Sequence, residues 1–386
     1  MRIYHIIAGL NTGGTEMMVY QLLSHMKGLG FDNRVISLTD IGPIGEQVRA
    51  SGISVRALGM RRGLPTPISL VRLVAWLIRE RPQLIQTWLY DADLIGGLAA
   101  RLSGTVPVVW GVRHTNLDPS VNKAITIRVA KTCAKLSRWI PTKIVCCSNA
   151  SAETHSRLGY AADRMVVIPN GFDLGAFSPD STARAAVREE LGVPPNASVV
   201  GLVARWHPQK DHANFFAAAG LLARDHPDVH FVLCGDGITW GNAELARLVK
   251  MARVSNQTHL LGVRTDVARL NAAMDVASSS SLGEGFSNAV GEAMATGVPC
   301  VVTDVGGSAE IVGGTGRVVP PGSPELLASA WRAIIQMPDS DRSDLGIQAR
   351  ARVEQCFDIR AVVRRYAELY EDIGGAERRK FISTRI

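Results

Sequence analysis

Apolar and polar positions alternate along this chain in two kinds of block. Short apolar runs, among them residues 3–8, 34–38, 106–110 and 199–203, end in polar or glycine-bearing turns. Longer stretches with helical spacing follow several of them, as at residues 15–29 and from about His212. Strands alternating with helices predict parallel sheets, hence an α/β chain. One alternating series spans residues 1 to about 177 and a second spans about 199–319, with Pro179, Pro194 and Pro195 marking the connection. At 386 residues the chain exceeds what one core usually supports. The expected organisation is a domain over 1–180, a second over 181–358, and a terminal segment 359–386. That segment holds a helix over about 359–373 and a basic, loosely ordered tail.

The densest chemistry lies in residues 278–314. Residues 275–278 close an apolar strand, 279–286 read as a loop, and 288–296 have helical spacing until Gly297 and Pro299 stop them. Glu284 therefore falls in the loop and Glu292 in the helix. Ser287 suits the N-cap, which leaves the amides of residues 287–290 aimed at an anion, with phosphate the natural guest. Glu284 is placed to accept hydrogen bonds from sugar hydroxyls, and Glu292 a pair from a ribose diol. Arg205 and Lys210 share the loop between the strand at 199–203 and the next helix. In a doubly wound domain ligands collect at the carboxyl ends of parallel strands, so this loop and the one around Ser287 face the same crevice. Two cations there would neutralise a diphosphate.

Near the N-terminus, strand 3–8, a loop ending in Gly13-Gly14 and a helix follow one another, and the two glycines allow close backbone approach to a phosphate or sugar. A dinucleotide fingerprint with Asp40 as ribose acceptor is the competing reading. The G-x-G-x-x-G spacing it needs is absent. His114 follows the strand at 106–110 and should reach the cleft from the first domain. Asp91-Ala-Asp93 has the spacing of a metal-binding carboxylate pair, but Asp93 reads better as an N-cap and Asp91 as a strand-end residue.

Taken together, Glu284-Gly285-Phe286-Ser287-Asn288, Gly291-Glu292-Ala293-Met294-Ala295, Gly297-Val298-Pro299 and Thr303-Asp304-Val305-Gly306-Gly307 closely resemble glycosyltransferase family 4. The likeness extends to Gly13-Gly14-Thr15-Glu16, to Pro169-Asn170-Gly171-Phe172-Asp173, and to Arg205 with Lys210, and so covers most of the chain. The resemblance implies the GT-B fold, two Rossmann-like doubly wound domains facing a central cleft, with the last helix crossing back to the first domain. It implies a retaining glycosyltransferase that moves a sugar from a nucleoside diphosphate sugar, UDP- or GDP-linked, to an acceptor hydroxyl. Lipid-linked or growing polysaccharide acceptors in cell-surface glycan synthesis are the expected class.

By that resemblance Arg205 and Lys210 bind the diphosphate and stabilise the leaving nucleotide, which makes a metal unnecessary. No cofactor is expected beyond the sugar nucleotide as co-substrate. Glu284, Gly285, Phe286, Ser287, Asn288 and Glu292 would line the donor, Gly13 and Gly14 would approach it, and the base would lie near Val263 and Arg264. His114 would contact the transferred sugar, although here Thr115 follows it where many members have an aspartate. Catalytic candidates are thus Arg205, Lys210, Glu284 and His114. Two other classes share these features: a sugar-nucleotide epimerase of the same fold, and a nucleotide-sugar-binding protein without turnover.

Charge adds a partner. The net charge of +7 is uneven: residues 1–180 hold 20 Lys and Arg against 12 Asp and Glu, which leaves the remainder slightly acidic. Residues 121–143, from Val121 to Lys143, carry Lys123, Arg128, Lys131, Lys135, Arg138 and Lys143 without an acid, beside Ile125, Leu136, Trp139 and Ile140. This is a candidate contact for an anionic membrane, extended by Arg61, Arg62, Arg72, Arg79 and Arg81. Nucleic acid is excluded, because no zinc spacing, aromatic RNA-binding motif or helix-turn-helix pattern accompanies the charge. The six cysteines show no C-x-x-C and read as reduced core thiols. No signal peptide or spanning segment is evident, so the expected location is the cytoplasm, at the inner face of the membrane.

Overall fold

The computed structural model describes residues 1–60, 67–104, 106–119 and 122–383, without the side chains of Pro67 and of residues beyond 375. Its contacts resolve into two compact units: Met1–Gly171 with Ile359–Ile386, and Phe172–Asp358.

The first unit runs β1 (Arg2–Ile7), α1 (Gly14–His25), β2 (Asp32–Ser37), α2 (Gly42–Ala50), β3 (Ser54–Ala57), α3 (Pro67–Glu80), β4 (Leu84–Trp88), α4 (Tyr90–Ser103), β5 (Val108–Val112), α5 (Ala124–Leu136), β6 (Lys143–Cys146), α6 (Asn149–Leu158) and β7 (Met165–Val167). The second continues with α7 (Ser181–Glu190), β8 (Val199–Val203), α8 (His212–Asp225), β9 (His230–Cys234), α9 (Ala243–Ala252), β10 (Thr258–Leu260), α10 (Val267–Ala272), β11 (Val276–Ser279), α11 (Asn288–Ala295), β12 (Cys300–Thr303), α12 (Ser308–Val312), β13 (Arg317–Val319), α13 (Pro324–Ile335) and α14 (Asp339–Cys356). Helix α15 (Ile359–Ser383) returns to the first unit.

Both sheets are parallel, with strand orders β3-β2-β1-β4-β5-β6-β7 and β10-β9-β8-β11-β12-β13. Each order reverses once, between β1 and β4 and between β8 and β11. Those reversals are the switch points at which adjacent loops diverge and leave room for a ligand. Helices cover both faces of the central strands: β4, β5 and β12 are buried along their whole length, Gln86 and Thr87 of β4 included. In the first unit one core layer holds Trp110, Tyr90 and Cys133, and another is closed by Val362, Tyr366 and Tyr370 of α15. In the second unit Asp275, at the amino end of β11, accepts from Arg188 at 2.6 Å and from the amide of Val199 at 2.8 Å, fastening α7 to β8.

The unit boundary falls at residue 171 rather than 180. Phe172 donates its amide to Phe357 O at 2.8 Å, and Arg350 donates to Phe177 O at 2.9 Å, so residues 172–180 are fastened to the end of α14 and belong to the second unit. Strand β12 ends at Thr303, and Asp304–Gly307 lead into α12. Helix α15 continues past Gly374-Gly375 to Ser383, where a loose tail was expected, since the residues after that pair are good helix formers. Five cysteines are buried, but Cys356 is exposed at the end of α14.

Candidate functional site

In the second unit the loops at the carboxyl ends of β8 and β11 flank the switch point. Lys210 from the first loop reaches Glu284 from the second, Nζ to Oε1 at 2.6 Å. The same oxygen accepts from Ser281 Oγ at 2.6 Å. Three further bonds fix the pair. Ser280 Oγ donates to Lys210 O at 2.8 Å, Leu282 N donates to Gln209 O at 2.8 Å, and Thr303 Oγ1 at the end of β12 donates to Ser281 O at 2.7 Å. The two loops are therefore bonded along their length. Glu284 is largely covered, with 9% of its side chain exposed against 25% for Lys210. Ser280 and Ser281 were not singled out from sequence; the signal was the run Ser278–Ser281 closing an apolar strand.

Arg205 is exposed on the β8 loop. Its backbone is held by neighbours: Ala204 N donates to Cys234 O at 2.9 Å and Trp206 N to Asp236 O at 2.7 Å. The next strand end joins in, since Gly235 N donates to Gly262 O at 2.8 Å and Gly262 N to Ile238 O at 2.7 Å. Hence Arg205 and the 261–264 turn, the candidate base region, sit on consecutively bonded strand ends. Val263 is 64% exposed. Arg264 is committed elsewhere: its guanidinium grips Asp266 through Nε at 2.8 Å and Nη2 at 2.7 Å and also bonds Glu190. A base there would meet the backbone rather than the Arg264 side chain.

Helix α11 opens with Ser287 at the N-cap, but the Ser287 hydroxyl makes no capping bond, contrary to expectation. Helix geometry still leaves the first-turn amides without intrahelical acceptors. Phe286 is buried, and its ring packs on Phe172 at 6.1 Å and Phe357 at 5.6 Å between centroids. It braces the Gly285–Asn288 turn from within instead of presenting its ring to a ligand. Glu292 is half-buried, and its carboxyl has no side-chain or backbone partner among the described residues. Burial pushes it up to about 7.

Gly13, Gly14 and His114 lie in the first unit, the other candidates in the second. Gly13 is the N-cap of α1, and a Cβ on it would come within 2.3 Å of Glu16 Oε2, so the Glu16 carboxyl folds back over the loop. His114 lies two residues beyond β5 and stacks on Tyr90, with centroids 5.3 Å apart and planes at 17°. Asp93 is not an N-cap: α4 begins at Tyr90, and the buried Asp93 accepts from Thr87 Oγ1 at 2.5 Å. Asp91 is exposed, so the two carboxylates point to different surroundings. Among the described residues no three His, Cys, Asp or Glu side chains gather as metal ligands.

Two families match. "Glycosyltransferase Family 4" covers residues 12–176 and "Glycosyl transferases group 1" covers residues 197–337. An Escherichia coli UDP-Gal:alpha-D-GlcNAc-diphosphoundecaprenol alpha-1,3-galactosyltransferase is 30% identical over 243 residues, which span 62% of this chain and 62% of that protein. The putative glycosyltransferase EpsF of Bacillus subtilis is 25% identical over 311 residues, 78% of this chain and 79% of the relative. In fold, Anabaena HepE in complex with UDP-glucose superposes with a TM-score of 0.84 at 23% identity, covering 96% of this chain and 100% of that one. Two doubly wound parallel units with these neighbours make the GT-B fold. With both units matched, the chain belongs to glycosyltransferase family 4.

Proposed function

We propose that this protein is a retaining glycosyltransferase that moves a sugar from a UDP-linked donor to the hydroxyl of a lipid-linked or growing polysaccharide acceptor. The observation that carries the reading is the bonded cluster of Lys210, Glu284 and Ser281 at the β8/β11 switch point, with Arg205 on the adjoining strand end. Arg205 and Lys210 supply the positive charge that takes up the leaving diphosphate, without a metal or cofactor. Glu284 accepts from hydroxyls of the transferred sugar, Glu292 from the ribose diol, and the turn at Val263 and Arg264 meets the base through its backbone. Bond cleavage and acceptor attack occur on one face of the sugar, and the departing phosphate takes the acceptor proton. His114 contacts the sugar. The preference for UDP and for a lipid-linked acceptor is supported by the galactosyltransferase relative and by the UDP-glucose complex of the similar fold.

The acceptor reading brings a membrane with it. Helices α3, α4 and α5 pack side by side. Helix α3 turns out Ile68, Val71 and Ile78, exposed by 71%, 66% and 53%, beside Arg72 and Arg79. In the 121–143 segment Lys123, Arg128, Lys131, Lys135 and Arg138 are exposed around Ile125 and Trp139, whereas Leu136 and Ile140 turn into the core. Val121, Arg61 and Arg62 lie outside the described residues. The docking face is thus broader than the segment alone, apolar at α3 and basic at α5. Among the described residues no helix is long and apolar enough to cross a membrane.

The test is thermal melting with UDP, GDP, ADP, CMP and NAD on the parent protein, Arg205→Ala and Glu292→Ala, since a ligand of the native state raises the melting temperature. Stabilisation by UDP, weakened in both variants, is expected. Stabilisation by NAD alone, or by none of the five, would sink the donor site.

A further inference from the structure

The first unit contains a closed ring of contacts around His114. His155 Nδ1 lies 2.7 Å from Ser151 O, a carbonyl that can only accept, so Nδ1 carries the proton and Nε2 a lone pair. Tyr90 OH, 2.5 Å from His155 Nε2, must then donate. Ser151 Oγ donates to His114 O at 2.8 Å, and the His114 imidazole lies nearly parallel on the Tyr90 ring. One residue of α4 and two of α6 therefore hold both the backbone and the ring of His114. Burial pushes His155 down to about 4, which keeps it neutral and its lone pair available to Tyr90. Ser148 caps α6 by accepting from Ser151 N at 3.1 Å, and Tyr160 meets the His155 ring edge-on with centroids 5.0 Å apart.

The backbone that delivers Tyr90 is strained. Leu89, the N-cap of α4, has φ 73 and ψ 155, a conformation that side-chain-bearing residues adopt at a cost of about 1–3 kcal/mol and that concentrates at functional positions. Two bonds hold it there, from Leu89 N to Gly111 O at 3.0 Å and from Asp93 N to Leu89 O at 2.9 Å. Gly111 must be glycine for this approach, because a Cβ would lie 2.6 Å from Thr87 O. The strained residue lies at the carboxyl end of β4, on the β1/β4 switch point, and turns the Tyr90 ring toward the carboxyl end of β5.

We propose that Tyr90 and His155 are positioning residues which hold the His114 imidazole in the orientation used on the transferred sugar; this rests on the glycosyltransferase reading above. Tyr90 acts as a platform, and His155 fixes the platform by accepting the hydrogen bond that the Tyr90 hydroxyl donates.

Two measurements on the full chain test it. In long-range proton–nitrogen correlation spectra of the imidazoles, His155 should appear as the Nδ1–H tautomer. Tyr90→Leu should move the His114 ring signals, and Tyr90→Phe, which keeps the ring, should move them less. In transfer assays Tyr90→Leu should lower kcat on the order of 10- to 100-fold with donor KM unchanged, and should add no further loss in a His114→Ala background. Should Tyr90→Leu not fold, His155→Gln and Tyr90→Phe are read in its place against the same His114→Ala background. Unmoved His114 signals, or equal losses with and without His114, would overturn the proposal. Failure of any nucleoside diphosphate to bind would instead count against the donor site, and the ring signals are readable in either case.

Discussion

Lys210 and Glu284, 74 residues apart in the chain, are bonded at 2.6 Å through Nζ and Oε1 across the β8/β11 switch point. The group assigned to the diphosphate therefore neutralises the group assigned to the sugar. A donor must take the ammonium from the carboxylate as its phosphate arrives. Glu284→Gln removes the competitor for Lys210 yet leaves an oxygen for Ser281 to donate to. Its UDP affinity is expected to equal or exceed the parent's, while turnover falls by ~10²–10³, the usual loss for a preorganised polar contact to the reacting sugar. Lys210→Ala should lose both. Calorimetric UDP titration beside a transfer assay separates the two outcomes, and weaker UDP binding by Glu284→Gln would refute the competition.

The loop bearing Arg205 depends on a glycine in the neighbouring strand end. Gly235 has φ +151, and a Cβ on it would lie 2.3 Å from Ala204 O and 2.9 Å from Arg205 N. Gly235→Ala must displace the Arg205 backbone, and UDP affinity is expected to fall on the order of 10-fold or more, with about 1–3 kcal/mol of added backbone strain. Gly192→Ala is the control. Gly192 also has a positive φ, +64, but nothing within 4 Å of the added carbon, so it should lose stability and keep its UDP affinity.

Much of this was legible in the sequence. Strand β8 was read to the residue because its apolar run is uninterrupted, and α11 to within one residue because Gly297 and Pro299 stop it. Arg205, Lys210, Glu284 and Glu292 carried enough motif to be named. What stayed hidden depends on chain segments meeting from afar. The unit boundary is set by the bond from Phe172 to Phe357, not by the prolines that punctuate the connection. Likewise no local pattern shows that Ser280 reaches the Lys210 carbonyl or that Tyr90 lies under His114. Nor does the motif show that the Phe286 ring packs in the core against Phe357.

Membrane docking makes a prediction about apolar contact as distinct from charge. Ile68, Val71 and Ile78 form an exposed stripe on α3, with Arg72 and Arg79 alongside. Replacing all three aliphatic residues by Ser removes burial without changing net charge, and each aliphatic side chain buried in the interface contributes about 1.5–3 kcal/mol at most. Sedimentation with vesicles containing anionic lipid should show at least 10-fold weaker binding by the triple variant, while UDP binding is unchanged. Charge reversal at Lys131 and Lys135 should weaken binding chiefly at low salt. Equal vesicle binding by the parent and the triple variant would remove α3 from the docking face.

Glu292 links nucleotide binding to pH. Burial holds its carboxyl at about 7, well above the ordinary 4.5. The folded state therefore prefers the protonated acid, so this group's contribution to stability is fully present below about pH 4.5 and is lost as pH rises through about 7. Ribose hydroxyls donate to a carboxylate, so the nucleotide prefers the ionised form. UDP affinity should accordingly climb as pH rises through about 7, and binding near that pH should release a proton from the protein. Calorimetry in buffers of different ionisation heat reads that proton directly. The terminal phosphate of UDP titrates nearby, so the comparison that isolates Glu292 is Glu292→Gln with the same ligand, which should bind more weakly above pH 7 and lose the protein's share of the proton release. A parent and variant with superimposable pH profiles would show that the Glu292 carboxyl does not meet the ribose.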